Sequence, residues 1–179
     1  MNELICTEKP KIVDFAVAFC DLTLFARAST QRSPEEMMST ISTLAEMTGH
    51  FVEGAGGKVI KFIGDASLTV FPEGKIDDGL LALQQLKLQT DAWLSEQSLS
   101  SRMHIKVHIG PVAYGLVGTK DDKRADVIGD TVNIAATLKS NGISITPQVF
   151  RKLSSETRKL YKKHTPPIRY IPIEEAHRD

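Results

Sequence analysis

From Ile12 to Cys20 apolar and small residues alternate, with Val13, Phe15, Val17 and Phe19 on one face, and the pattern stops at a carboxylate, Asp21. This is a strand that ends in an acid. Ser33-Pro34-Glu35-Glu36 is a helix start, and Met37, Ile41, Leu44 and Phe51 then recur at helical spacing, which predicts an amphipathic helix to about Val52. Gly54, Gly56 and Gly57 break it. Lys58 to Ile63 and Ser67 to Phe71 read as two strands folded on Gly64 and Asp65, a hairpin with Asp65 at its tip. After Pro72 to Gly74, a second long helix is marked by Ile76, Leu80, Leu83, Leu86 and Trp93.

His104, Lys106 and His108 alternate with Ile105, Val107 and Ile109, a strand buried on one face with its histidines toward solvent. Gly110-Pro111 reads as a turn into a second apolar segment, Val112 to Val117, and the polar stretch Thr119 to Arg124 as a loop or ribbon tip. Asp126 to Ile128 resumes the strand pattern. Gly129 and Asp130 open a helix from about Thr131 to Lys139, and Thr146-Pro147 opens another that runs to about Leu160. Ile168 to Ile173 reads as a last strand, placed at a sheet edge because Pro172 interrupts it.

Helices set between strands that return by hairpins predict an α+β fold, a mixed and mainly antiparallel sheet with helices packed on it. A length of 179 residues suits one such domain, expected over residues 11–173 between flexible ends at 1–10 and 174–179. The 22 basic and 22 acidic residues cancel, which argues against broad electrostatic binding to nucleic acid or an anionic membrane. An anionic ligand would have to be held locally. No apolar run approaches the roughly 18 residues of a membrane helix, and the N-terminus lacks the order of a signal peptide, so a cytoplasmic domain with no membrane segment is expected. Cys6 and Cys20 form no ligand pair or disulfide framework, and Cys20 reads as a small buried residue of its strand.

Asp21 and Asp65 would converge if their strands are sheet neighbours. Mg²⁺ takes a few carboxylate oxygens plus water and substrate phosphate, so such a pair could hold metal ions acting on a triphosphate. Aspartates are equally at home at strand ends and hairpin tips, and spacing alone leaves both readings open.

Val17-Ala18-Phe19-Cys20-Asp21-Leu22 and Gly56-Gly57-Lys58-Val59-Ile60-Lys61-Phe62-Ile63-Gly64-Asp65 resemble two signature segments of the class III adenylyl and guanylyl cyclases. The stretch His108 to Gly118, followed by Asp126-Val127-Ile128-Gly129-Asp130-Thr131-Val132-Asn133-Ile134-Ala135-Ala136, resembles that family's central segment, in family order and over about Val13 to Leu138. The resemblance implies the cyclase type of ferredoxin-like sheet and conversion of ATP to 3′,5′-cyclic AMP and pyrophosphate. Two divalent ions, Mg²⁺ or Mn²⁺, would sit on Asp21, Asp65 and the Leu22 carbonyl. Lys61 would donate to adenine N1 and Asp126 accept from the exocyclic amine, while Asn133 orients the ribose.

The same resemblance implies a homodimer with shared sites, the aspartates Asp21 and Asp65 from one subunit and Lys61, Asp126 and Asn133 from the other. Phe25 keeps the phenylalanine of the family's phosphate-binding turn, where Ala26 stands in place of a common threonine. Thr137 stands where active members usually carry an arginine that stabilises transition-state charge. Lys163 is the nearest candidate for the family's terminal, triphosphate-contacting lysine, with Lys162 as good on chemistry. These departures keep two alternatives in view: a degenerate cyclase-like module that binds nucleotide or dimerises, and a cyclase for GTP or a pyrimidine triphosphate. A regulatory domain outside these residues fits either.

Overall fold

The computed structural model describes residues 4–6, 9–30 and 32–176. The remaining positions, on which half of the expected flexible ends fall, lie outside the described residues. The elements are β1 (Lys11–Leu22), α1 (Phe25–Ser29), α2 (Pro34–Gly54), β2 (Lys58–Ile63), β3 (Ala66–Pro72), α3 (Ile76–Glu96) and β4 (Met103–Gly118). They are followed by β5 (Lys123–Ile128), α4 (Asp130–Thr137), β6 (Ile143–Ile145), α5 (Pro147–Lys152), α6 (Ser155–Arg158), β7 (Tyr161–His164) and β8 (Arg169–Pro172). The sheet runs β2-β3-β1-β4-β6-β8-β7, with β5 paired to β4 as a ribbon. Among the described residues only the β4–β6 pairing is parallel. The fold is therefore the expected α+β type.

Strand alternation sorts the core into two layers. Ala16, Ala18, Cys20 and Leu22 of β1 join Ile105, Val107 and Ile109 of β4 under α2 and α3. Phe15 and Val17 face the other way with Leu68, Val70, Val112 and Tyr114, where α4 supplies Ala135 and the N-terminal segment packs Leu4 and Cys6. The Tyr114 hydroxyl donates to the Leu4 carbonyl at 2.9 Å, so this part of the expected flexible start is held to the sheet. α2 starts at the predicted place with a capping box: the Ser33 hydroxyl accepts from the Glu36 N–H at 3.2 Å and the Glu36 carboxylate accepts from the Ser33 N–H at 2.8 Å. Cys20 is buried as expected, which pushes its thiol up to about 12.

Several local expectations are corrected. Gly110-Pro111 is no turn, because β4 is continuous over 16 residues and pairs with β1 from Met103 to Tyr114, Asp14 standing opposite Pro111. On its other side β4 pairs with β6 at 105–107 and with β5 from Ala113, so Pro111 falls where a missing donor breaks no ladder bond. Of the two histidines of β4 expected toward solvent, His104 is half-buried and His108 is not a surface residue. His108 is buried and its Nδ1 lies 2.8 Å from the Thr146 hydroxyl, since α4 covers that face of the sheet as well.

The single helix expected after Thr146 is two short ones, α5 and α6. Leu153 is extended (ψ 152°), and Ser154 caps α6 by accepting from the Thr157 N–H at 3.2 Å, while Asp77 accepts from the Ser154 N–H at 3.0 Å. β8 is also not the edge strand. It lies between β6 and β7, and Pro172 is tolerated because its only ladder partner is Tyr161, β6 pairing β8 through Ile145 and Tyr170 alone. The short elements α1, β6 and β7 carry no periodic signal long enough to read.

Candidate active site

β1 and β3 are antiparallel neighbours in the register Cys20 to Ser67, which brings the end of β1 beside the β2–β3 turn. Gly64 opens that turn at φ +63°, a left-handed conformation that glycine adopts without strain, and Asp65 follows it. The Leu22 N–H donates to the Asp65 carboxylate at 3.3 Å, so two acids 44 positions apart in sequence meet at one corner. Asp65 is pushed above the ordinary carboxylate range by burial. The charge of Asp21 adds to this, and backbone N–H groups of Asp65 itself and of Leu22 offset part of it.

Negative charge is thus gathered beyond what the corner neutralises, and a divalent cation would relieve it. Among the described residues no cluster of three or more acidic, histidine or cysteine side chains surrounds the point. An ion held by the Asp21 and Asp65 carboxylates would keep positions open for water and phosphate, as Mg²⁺ and Mn²⁺ sites on triphosphates do. Facing Asp21 across the β1–β4 ladder is His104. Burial lowers its pKa, helped by Lys87 and Lys106 and opposed by Asp21 and Asp91.

Lys61 on β2 and Asp126 on β5 are brought together although 65 positions separate them, with Lys61 Nζ 2.7 Å from Asp126 Oδ2. Asp126 Oδ1 accepts from the Val127 N–H at 2.8 Å, which fixes the carboxylate plane. The pair lines a cavity of about 790 Å³ between β2 and the β4–β5 ribbon, beside Glu53, Ile60, Phe62 and Thr119. The Lys61 side chain is 43% exposed, so the ion pair is screened and contributes on the order of 0–1 kcal/mol. A ligand offering the same hydrogen bonds can displace it.

Asn133 lies one turn into α4 with an exposed side chain. The helix starts from Gly129 at φ +148°, a conformation that side chains resist, and the Thr131 hydroxyl donates to the Pro111 carbonyl at 2.7 Å, pinning α4 to β4. Thr137 ends the helix, exposed, its hydroxyl donating to the Asn133 carbonyl at 2.8 Å. That oxygen is committed to its own helix. Phe25 opens α1 and packs its ring on the helix-side core, the turn before it being held by the Thr23 N–H on the Arg102 carbonyl at 2.9 Å.

Lys163 is exposed on the edge strand β7, opposite Tyr170, whose ring stacks on Phe150 of α5. It therefore stands on the helix side of the sheet, the face opposite to Asp21. Lys162 donates to the Ile173 carbonyl at 2.7 Å. Neither lysine is brought to the Asp21–Asp65 corner within one chain. Sequence reasoning missed Arg169, which is 4% exposed. The available signal was parity, since Arg169 shares a strand face with buried Ile171.

No described helix is long and apolar enough to cross a membrane. Residues 7–168 match the family model described as the adenylate and guanylate cyclase catalytic domain. An adenylate cyclase of Anabaena cylindrica is 30% identical over 152 residues, covering 77% of this chain and 30% of that protein. The chain spans less than a third of the length of the curated relatives it matches. Among solved structures, the adenylyl cyclase CyaB from P. aeruginosa superposes with a TM-score of 0.78 at 15% identity, covering 94% of this chain and 97% of that one. The guanylyl cyclase Cya2 gives 0.73 at 18% identity, covering 90% and 92%. With the family model spanning nearly the whole domain, the chain belongs to the adenylate and guanylate cyclase catalytic domain family.

Proposed function

We propose that this domain converts ATP to 3′,5′-cyclic AMP and pyrophosphate, at sites shared between two copies of the chain. The observation that carries the reading is the meeting of Asp21 and Asp65, reported by the Leu22 N–H bond to Asp65 and by the raised pKa of that carboxyl. Two Mg²⁺ or Mn²⁺ ions on Asp21, Asp65 and the Leu22 carbonyl would, when bound, acidify the ribose 3′-hydroxyl and neutralise phosphate charge. The chain's own groups do the recognition. Lys61 Nζ donates to adenine N1 and Asp126 accepts from the exocyclic amine, each giving up the other for the base. Guanine presents a carbonyl and a protonated N1 at these atoms, so the pair disfavours GTP. Asn133, exposed on the first turns of α4, orients the ribose ring. The backbone at Phe25, with its ring anchored in the core, holds phosphate.

A partner copy is supported by apolar surface left open around these groups. Phe62 (45%), Ile63 (54%), Val117 (47%), Ile128 (59%) and Ile134 (43%) are exposed on β2, the β4–β5 ribbon and α4. Such apolar exposure marks association surfaces. One observation favours the degenerate reading: the Thr137 hydroxyl is bonded to its own helix and supplies no charge.

Turnover separates the two. The purified chain, incubated with each of the four nucleoside triphosphates and Mn²⁺ or Mg²⁺, is expected to yield cyclic AMP and pyrophosphate by mass, with ATP preferred in kcat/KM. Product from none of the four would establish the regulatory reading. Cyclic GMP or a cyclic pyrimidine nucleotide as main product would overturn the roles of Lys61 and Asp126.

A further inference from the structure

β2 and the β4–β5 ribbon wall the cavity of about 790 Å³, with Lys61 on one side and Asp126 on the other. Among the described residues, two polar side-chain contacts join these walls. One is the Lys61–Asp126 ion pair, which is partly exposed and is given up when both groups turn to a base. The other lies further in. Lys58, three residues before Lys61 on β2, donates from Nζ to the Tyr114 hydroxyl of β4 at 3.0 Å and to the Leu4 carbonyl at 3.4 Å. The Tyr114 hydroxyl donates to that same carbonyl at 2.9 Å, which closes a triangle.

Tyr114 is fully buried, its ring edge-on to Phe15 with the centroids 5.5 Å apart. Its hydroxyl gives its one proton and accepts another, so its direction is fixed. Lys58 Nζ lies 5.8 Å from the centre of the same ring, within cation–π reach, which adds to the hold. Across the β4–β5 ladder Tyr114 stands opposite Val127, and the next residue, Gly115, stands opposite Asp126 itself. Pro10 lies so close against Gly115 that a side chain there would meet it at 3.2 Å. Through Leu4 the N-terminal segment thus fastens each wall close to the residue with which that wall reads the base.

We infer that Lys58 and Tyr114, tied through the Leu4 carbonyl, are positioning residues for base reading. They keep β2 and the ribbon at the separation at which Lys61 and Asp126 reach one base together. The ion pair cannot do this, because it opens as the base enters. Telling adenine from guanine requires both hydrogen bonds at once, and such groups select only when held within about 0.5 Å of their productive places. The part played in base selection rests on the cyclase reading; the clamp between the two walls does not.

Two measurements on the whole chain test this: steady-state kinetics with ATP and with GTP in Mn²⁺, and amide hydrogen exchange without nucleotide. Tyr114→Phe and Lys58→Met should each raise KM for ATP about fivefold or more with kcat within about twofold, since base contacts act in ground and transition states alike. The ATP-to-GTP ratio of kcat/KM should fall by about the same factor. Lys58→Arg, which still donates to both oxygens, should keep the wild-type ratio. In a Lys61→Met background the base pair is already lost, so Tyr114→Phe should leave the ratio unchanged. A further loss of equal size there overturns the positioning role, as does a wild-type ratio in both single variants. Amides of residues 58–63 and 123–128 should exchange about threefold faster or more in Tyr114→Phe and Lys58→Met but not in Lys58→Arg. Unchanged exchange overturns the clamp. If near-UV circular dichroism shows Tyr114→Phe to be unfolded, Lys58→Met and Lys58→Arg decide by the same measures. A wild type that turns over none of the triphosphates would refute the cyclase reading and with it the role in base selection, and exchange alone then judges the clamp. Turnover of ATP at the wild-type ratio in every clamp variant would do the reverse.

Discussion

Asp65 is a carboxylate whose surroundings disfavour its charge: burial and the nearby Asp21 outweigh the backbone N–H groups that favour it. A carboxyl with a raised folded-state pKa binds its proton more tightly when folded, so stability is greater at acid pH. It is lost as pH climbs from the unfolded value through the folded one. In metal-free protein, Asp65→Asn should therefore raise the melting temperature at neutral pH and flatten its decline through that window. If Mn²⁺ binds at this corner and raises the wild-type melting temperature, the variant should show no such increase, because a neutral amide is a poor ligand for a hard cation. Thermal melts in EDTA and in Mn²⁺ check both. A neutral-pH melting temperature at or below wild type would mean that the two acids do not share a corner.

Among the elements, the break between α5 and α6 depends on side chains that a periodicity argument cannot see. Ser154 caps α6, and Asp77 of α3 accepts from both its N–H at 3.0 Å and its hydroxyl at 2.9 Å. Burial would raise the Asp77 pKa, but hydrogen bonds from Thr157 and Ser154 outweigh it and the value falls. The stability this gives is present above the unfolded carboxylate pKa and is lost as pH drops through the folded one. Ser154→Ala should cost about 1 kcal/mol at neutral pH, as loss of an N-cap does. In urea unfolding the difference from wild type should shrink once Asp77 is protonated. The long elements were legible because repetition specifies them: α2 and α3 through apolar spacing, β1 through alternation. Pro111 misled because its place in a continuous strand depends on which stretch of β4 lacks a neighbour on one side, a tertiary fact. His108 misled because polar residues at alternate positions normally mean solvent, whereas α4 lies over this part of β4 and the Thr146 hydroxyl meets its Nδ1.

At the scale of the whole molecule, the sheet order brings together what sequence separation hides. Asp21 and Asp65 were legible as chemistry on strand-end carboxylates, but their meeting required β1 and β3 to be neighbours. Lys61 and Asp126 were legible only through resemblance, since neither residue type nor spacing predicts an ion pair between β2 and β5. Arg169 escaped because β8 is only four residues long, too short for its alternation with buried Ile171 to stand out. If two copies share sites as proposed, Asp65→Ala and Asp126→Ala homodimers should each be nearly inactive. Mixing them under exchange should restore up to about a quarter of wild-type activity, since random pairing makes half the dimers mixed and each mixed dimer retains one intact site. Absence of recovery from two folded, exchanging variants would rule out shared sites.

The 16-residue run of β4 is one uninterrupted strand, with His104 opposite Asp21 of β1 near one end and Gly115 opposite Asp126 of β5 near the other. It acts as a crossbar. In the proposed dimer each protomer lends its acid corner to one site and its base-reading pair to the other, so a single tilt of the crossbar changes both sites at once. Activation would then arrive as a rotation of one copy against the other, and the two sites would open or close in step.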